Sequence, residues 1–377
     1  MSNKKEPFIK NGFSFLHLRM EKIFSYGQLQ QFCNDVFIKM GCTATDAATA
    51  AKALVAADAR GIDSHGVARL SGYVRLWEAK RVNAKPAIKI VHETPSTAVI
   101  DGGAGLGLVL SPYAMQVAVN KAKNVGTGWV SVKNSNHFGI AGYHAMLALE
   151  HDMIGMAMTN GSALVAPTFS TERMLGTNPI AVAIPAGTEP AFVADFATTT
   201  AANGKLEILQ RKNADTPVGW VQTKEGNTST NANELKNGGS LLPLGSDREH
   251  SSHKGYALGA IVDIFSAVLS GANYGPWVPP FPAYVPMPEN MPGEGIGHFF
   301  GAMRIDAFRT ADEFKANMDN WIRRFRNAKP MEGQEKVLIP GDPEREIETE
   351  RMKNGIPVLD VVVEDLKKLA DKFSLAF

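Results

Sequence analysis

A change of hydrophobic period at Pro86 constrains this chain more than any other feature. Over residues 25–80 apolar side chains recur every third or fourth position, through Leu29, Phe32, Val36, Phe37 and Met40, with Gly41 placed to stop the first helix. Thr43 and Asp46 have capping-box spacing ahead of an alanine-rich stretch expected to stay helical to about Ala59. Beyond Pro86 the apolar runs shorten, and residues 87–91 and 96–101 sit between Pro and Gly as strands do. Both periods then alternate along the chain. Strands are expected over 127–132, 154–158, 180–184, 192–195 and 296–305, and helices over 112–124, 141–150, 205–211, 253–270, 311–326 and 361–373. At 377 residues such a chain is expected to be α/β, with two domains or one domain and a large cap.

The run Gly102-Gly103-Ala104-Gly105-Leu106-Gly107 lies between a strand and a helix, the setting of a dinucleotide-binding loop. Its glycines miss the G-x-G-x-x-G spacing, and no acidic residue closes a second strand at the required distance. A tight turn is expected there, not a Rossmann phosphate loop. Basic and acidic residues nearly balance, 39 against 38, with no basic stripe, so nucleic acid is not an expected partner. The apolar run 258–269 is broken by Asp263 and Ser266 and is too short to span a bilayer. Met1-Ser2-Asn3-Lys4-Lys5-Glu6 leads into no apolar export core, and a cytoplasmic protein is expected. Cys33 and Cys42 fit neither a zinc site nor a disulfide framework, and no H-E-x-x-H pattern occurs, so no metal is expected.

Two polar strings carry the chemistry: Asp63-Ser64-His65-Gly66-Val67-Ala68-Arg69 and Asn134-Ser135-Asn136-His137-Phe138-Gly139. Each joins an imidazole to hydrogen-bonding neighbours beside a glycine, which lets the backbone approach a ligand. An Arg four residues after a His shares its face if the stretch is helical, so a proton carrier and a carboxylate clamp would stand together. That pairing suits 2-hydroxy or 2-oxo acids. Adjacent Ser64 and His65 also raise the possibility of a hydrolase, but no G-x-S-x-G elbow is present. A non-catalytic binding protein is the other alternative.

With Leu175-Gly176-Thr177-Asn178-Pro179, His253-Lys254-Gly255-Tyr256, Gly297-His298-Phe299-Phe300 and Lys353-Asn354-Gly355-Ile356-Pro357, these strings resemble the type-2 malate/L-lactate dehydrogenase family from about residue 22 onward. That group also holds ureidoglycolate, sulfolactate and diketogulonate oxidoreductases and a cyclic imino-acid reductase. The polar insert 246–252 and Trp277-Val278-Pro279-Pro280 resemble its malate dehydrogenase branch.

The resemblance implies a non-Rossmann nicotinamide-binding domain with a mixed, largely antiparallel sheet over residues 91–305. It also implies a helical lobe from 22–90 with 306–377, an N-terminal extension over 1–21, and a homodimer. It implies hydride transfer between NAD, or NADP, and a small 2-hydroxy or 2-oxo acid, with malate and oxaloacetate first. Lactate, ureidoglycolate and cyclic imino acids are the alternatives. The matching substrate-side residues are Ser64, His65, Arg69 and His137, and the cofactor-side residues are Ser162, Thr177, Asn178, Asp195, Phe196, Ala197, Lys254, Gly255, His298 and Phe299. On this reading Arg69 grips the carboxylate, and His137 exchanges the proton with the C2 oxygen while His65 with Ser64 steadies that oxygen, His65 being the alternative proton carrier.

Overall fold

A computed structural model describes residues 21–211 and 213–377; the expected extension lies outside them except for its last residue. Strand β1 (Glu21–Phe24) leads into helices α1 (Tyr26–Lys39) and α2 (Ala44–Ala59). Two 3₁₀ turns, Asp63–His65 and Val67–Arg69, then run into α3 (Leu70–Glu78). Next come β2 (Lys89–Glu93), β3 (Thr97–Asp101), α4 (Gly107–Val125), β4 (Thr127–Ser135), α5 (Ala141–Met146), β5 (Met153–Thr159), β6 (Ile180–Ile184) and β7 (Phe192–Phe196). A small unit follows, made of α6 (Asn203–Arg211), β8 (Val221–Gln222), β9 (Thr228–Ser229) and β10 (Ser240–Leu241). The chain finishes with α7 (Ser252–Asp263), β11 (Ile296–Arg304), α8 (Ala311–Arg326), α9 (Asp342–Asn354), β12 (Ile356–Leu359) and α10 (Asp360–Phe373).

Seven strands form the main sheet in the order β2-β3-β4-β11-β5-β6-β7. Only β3 and β4 run parallel, joined through α4; every other neighbouring pair is antiparallel. The mixed, largely antiparallel sheet is therefore as expected. On one face Met115, Val119, Phe138 and Phe300 build a core beneath α4 and α5, and on the other Val262 of α7 packs with Met158, Ile180 and Phe299. Each such fully buried side chain contributes roughly 1.5–3 kcal/mol.

A separate core unites α1, α2 and α3 with α10, through Leu29, Phe37, Leu54, Tyr73 and Leu366. The pairing of β1 with β12 brings Phe24 opposite Ile356 and ties the two ends of this lobe together.

Local chemistry explains the boundaries. Ser25 and Gln28 form a reciprocal capping box at 3.2 and 2.9 Å, and Gly41 ends α1 at φ +100°. At α2 the Thr43 hydroxyl accepts the Asp46 N–H, but the Asp46 side chain meets that hydroxyl instead of the cap backbone. Asp is too short to complete the box.

The glycine run is a turn, as expected, but α4 begins five residues earlier than its apolar pattern suggested, at Gly107. There a Cβ would lie 2.1 Å from the Asn136 carbonyl, so only glycine lets helix and second polar string touch. After Asp263 the expected helix continues as a π-helical turn over Ile264–Val268. Helix α9 was not expected at all, because its sequence has no apolar stripe.

Candidate active site

The first polar string does not form one continuous helix. Gly66 separates its two 3₁₀ turns, and a Cβ there would sit 2.1 Å from the Asp58 carboxylate, which enters from the end of α2. Asp58 is buried and accepts the Val67 N–H at 2.8 Å. Burial drives its carboxyl well above the usual range. From the far end of the chain, Arg351 on α9 donates to the Asp58 carbonyl and to the Asp63 carboxylate. The loop is thus clamped from below by α2 and from the side by α9.

Within it the Arg69 Nε donates to the Ser64 carbonyl at 2.6 Å, and the Ser64 hydroxyl lies 2.9 Å from His65 Nδ1. The clamp and the imidazole do stand together, through a folded-back guanidinium instead of a shared helical face.

The second string leaves the end of β4. Asn136 anchors it by donating to the Ala104 and Gly105 carbonyls, both at 3.0 Å, and this presses it on the glycine turn. His137 then meets the first string: the two imidazole rings lie 5.7 Å apart and 23° from parallel. Tyr73 on α3 places its hydroxyl 2.7 Å from His137 Nδ1. Phe281, from the proline-rich segment, lies 4.8 Å from the His137 ring and 5.5 Å from Tyr73, with the Arg69 guanidinium 5.9 Å above it.

Burial holds His65 down to about 4, helped by the Arg69 charge, and pushes His137 well below the usual imidazole range, helped by His65 and Arg69. Both imidazoles are therefore neutral at pH 7.

The sequence reading missed Asp58, Tyr73, Phe281 and Arg351. Tyr73 could have been found one helical turn after Arg69, on the same face. Phe281 offered no signal beyond being an aromatic residue in a proline-rich segment.

The ten residues expected on the cofactor side divide by accessibility. Ser162, Thr177, Phe196, Ala197 and Lys254 keep solvent-accessible surface, and beside Gly161 a Cβ would meet only open space. Ser162 accepts the Phe281 N–H at 3.1 Å, so this one residue reaches the segment whose ring lies against His137. Asp195, on the edge strand β7, accepts the Gly142 N–H at the start of α5 at 2.7 Å. It is accessible yet walled by protein, and desolvation raises its carboxyl to about 6.

The other four lie inside. Asn178 bridges the Gly161 N–H and the Gly259 carbonyl, and a Cβ at Gly255 would lie 2.3 Å from the Leu244 carbonyl. His298 bonds Thr159 and Ser135 through its two ring nitrogens, each at 2.7 Å, and stacks on Phe138. Phe299 packs between Trp129 and Phe265. Among the described residues no group of three or more His, Cys, Asp or Glu side chains is placed to hold a metal ion.

Two imidazoles and a guanidinium thus converge beside a mixed α/β sheet whose glycine turn is not a Rossmann phosphate loop. Comparison with known proteins carries this further. The family described as malate/L-lactate dehydrogenase matches residues 24–367. The chain is 40% identical over 360 residues to a malate dehydrogenase of Pyrococcus horikoshii, spanning 95% of this chain and 96% of that one. It is 38% identical over 342 residues to an L-sulfolactate dehydrogenase of Methanocaldococcus jannaschii, spanning 90% and 94%. The crystal structure of malate dehydrogenase from Entamoeba histolytica is similar at a TM-score of 0.87 and 33% identity, over 95% of this chain and 99% of that one. The chain belongs to the malate/L-lactate dehydrogenase family.

Proposed function

We propose that the protein interconverts malate and oxaloacetate with NAD, NADP being the alternative. The observation that carries this reading is the convergence of Arg69, His65 and His137 around Phe281. Arg69 spends its Nε on the Ser64 carbonyl, which leaves the terminal nitrogens to grip a carboxylate in a forked pair. One neutral imidazole exchanges a proton with the C2 oxygen while the other steadies that oxygen. The Phe281 ring walls the site with apolar surface, which strengthens every polar contact inside it.

The accessible cofactor-side groups fit a dinucleotide by their chemistry. Hydroxyls of Ser162 and Thr177 and the Asp195 carboxylate suit sugars and an amide, the Lys254 ammonium suits a phosphate, and Phe196 suits a ring. Asn178, Gly255, His298 and Phe299 support these contacts from behind. A bound nicotinamide supplies the acceptor or donor of the hydride at C2.

A homodimer belongs to the same reading, supported by exposed apolar side chains of Ile261 on α7, Ile264, Phe265 and Val268 on its π-turn, and Leu269 just after it. So does a cytoplasmic location, supported by the two free thiols of Cys33 and Cys42.

Reduced NAD and NADP offered with oxaloacetate, pyruvate, sulfopyruvate, the 2-oxo acid of ureidoglycolate and a cyclic imino acid test the proposal. Fastest loss of nicotinamide absorbance is expected with oxaloacetate and NADH. Silence across the panel, or a faster rate with another acid, overturns it. Arg69→Lys should raise KM for the acid about tenfold or more, since a point charge cannot replace the fork.

A further inference from the structure

The geometry points to Tyr73 as the positioning residue that fixes the ring tautomer of His137, and so decides which imidazole exchanges the proton. Two groups approach His137 Nδ1. The Gly139 N–H lies 3.3 Å away, and a backbone N–H can only donate. The Tyr73 hydroxyl lies 2.7 Å away and can do either. The long Gly139 contact sets only the sense of the arrangement, and the short Tyr73 bond supplies most of its strength: Nδ1 offers its lone pair, the Tyr73 O–H donates to it, and the neutral ring carries its proton on Nε2.

Tyr73 is held for this task. It is fully buried, with Phe37 and Phe281 against its ring edge-on at 6.4 and 5.5 Å. Its hydroxyl has no solvent to turn toward. The titratable groups around His137 are His65 and Arg69 from the substrate loop, Tyr73 from α3, His144 from α5 and His298 from β11, and none is a carboxylate that would hold a second proton on the ring.

The consequence separates the two histidines. With Nδ1 committed, His137 presents an N–H toward substrate: it can donate a hydrogen bond to the C2 oxygen but has no lone pair to receive the hydroxyl proton. His65 is not committed in this way, because its Nδ1 faces the Ser64 hydroxyl, which can donate or accept. In oxidation the hydroxyl proton passes to the His65 Nε2 lone pair. The O–H electron pair becomes the second C–O bond, and the C2–H pair leaves as hydride to the oxidised nicotinamide cofactor. Reduction reverses each step. His137 keeps its proton throughout. Of the two proton carriers the sequence left open, with His137 first, this inference selects His65, and His137 gives the hydrogen bond that steadies the oxygen.

This inference rests on the proposed dehydrogenase reading for its catalytic meaning but not for its test. In full-length protein labelled with [15N]histidine, without cofactor, long-range 1H–15N correlation reads the tautomer directly, with His137→Gln assigning the signal. A pyridine-type Nδ1 and a pyrrole-type Nε2 are expected at neutral pH. Tyr73→Phe, which keeps the ring and its packing, should mix the two tautomers and lower kcat about tenfold, the worth of one buried hydrogen bond, at unchanged KM for the acid. A pyrrole-type Nδ1 or an imidazolium in the parent protein overturns the inference. So does a Tyr73→Phe protein with an unaltered His137 signal, or with KM and kcat moving together. An inactive protein with the expected tautomer would defeat the proposed function alone.

Discussion

Replacing Asp195 by Asn should make the ligand-free protein more stable at neutral pH while weakening its hold on the cofactor. The Asp195 carboxyl stands at about 6 in the folded chain against an ordinary 3.8, because the protein packed around the carboxylate desolvates its charge more than the Gly142 N–H favours it, although the residue keeps solvent-accessible surface. Asn keeps an oxygen for that N–H and behaves like the protonated acid at every pH. Below the unfolded value both proteins carry a neutral group there, and the variant gains nothing. As pH rises from about 4 to about 6 the unfolded parent releases its proton while the folded parent keeps it, so parent stability falls through that window and then levels off.

A rise of that size is worth about 3 kcal/mol in a dry site, but Asp195 is exposed to water, which screens the penalty and leaves about 1 kcal/mol. Urea unfolding of both proteins from about pH 3.5 to 8 measures the difference. The Asn protein should match the parent at the acid end and exceed it by about 1 kcal/mol above about pH 6.5. A gain of equal size at all pH values, or a loss at pH 7, refutes the reasoning. Titration with NADH should show weaker binding by the same variant.

Gly66→Ala forces a methyl against the Asp58 carboxylate and should cost about 2–4 kcal/mol with most of the activity; unfolding midpoints and kcat/KM check both. Arg351→Met removes the guanidinium that joins α9 to Asp58 and Asp63; kcat/KM for the acid should fall about tenfold with NADH affinity unchanged by fluorescence titration. His298→Leu leaves the Ser135 and Thr159 hydroxyls facing an apolar group and should cost about 2–4 kcal/mol, so its midpoint should drop even without cofactor.

The six ordered motifs and the switch between helical and strand periods made the family and the mixed sheet legible, because both are local signals. What stayed hidden depends on contacts across the chain. Asp58 looks like one acid near the end of an alanine-rich helix until Gly66 is seen pressed on it. Arg351 lies in α9, where charge dominates and no apolar period marks a helix; Gly341 before it, acids in its first turn, bases in its last and Gly355 after it were the available signals. In the sequence Tyr73 is one aromatic residue within a stretch expected to be helical, and its hydroxyl acquires meaning only when the second string arrives 64 residues later. His298, by contrast, lies in a recognisable motif, yet only the fold shows that both its nitrogens are already engaged.

The joining of β1 to β12, together with the reach of Arg351 back to Asp63, has a bearing on synthesis. A growing chain can assemble most of the sheet from residues in hand, but the loop proposed to grip the acid lacks its lateral brace until the closing helices leave the ribosome. A nascent or prematurely terminated product would therefore carry a largely built sheet, the proposed cofactor platform, beside an unset loop proposed for the substrate, and it should stay inert toward acids until the final stretch docks.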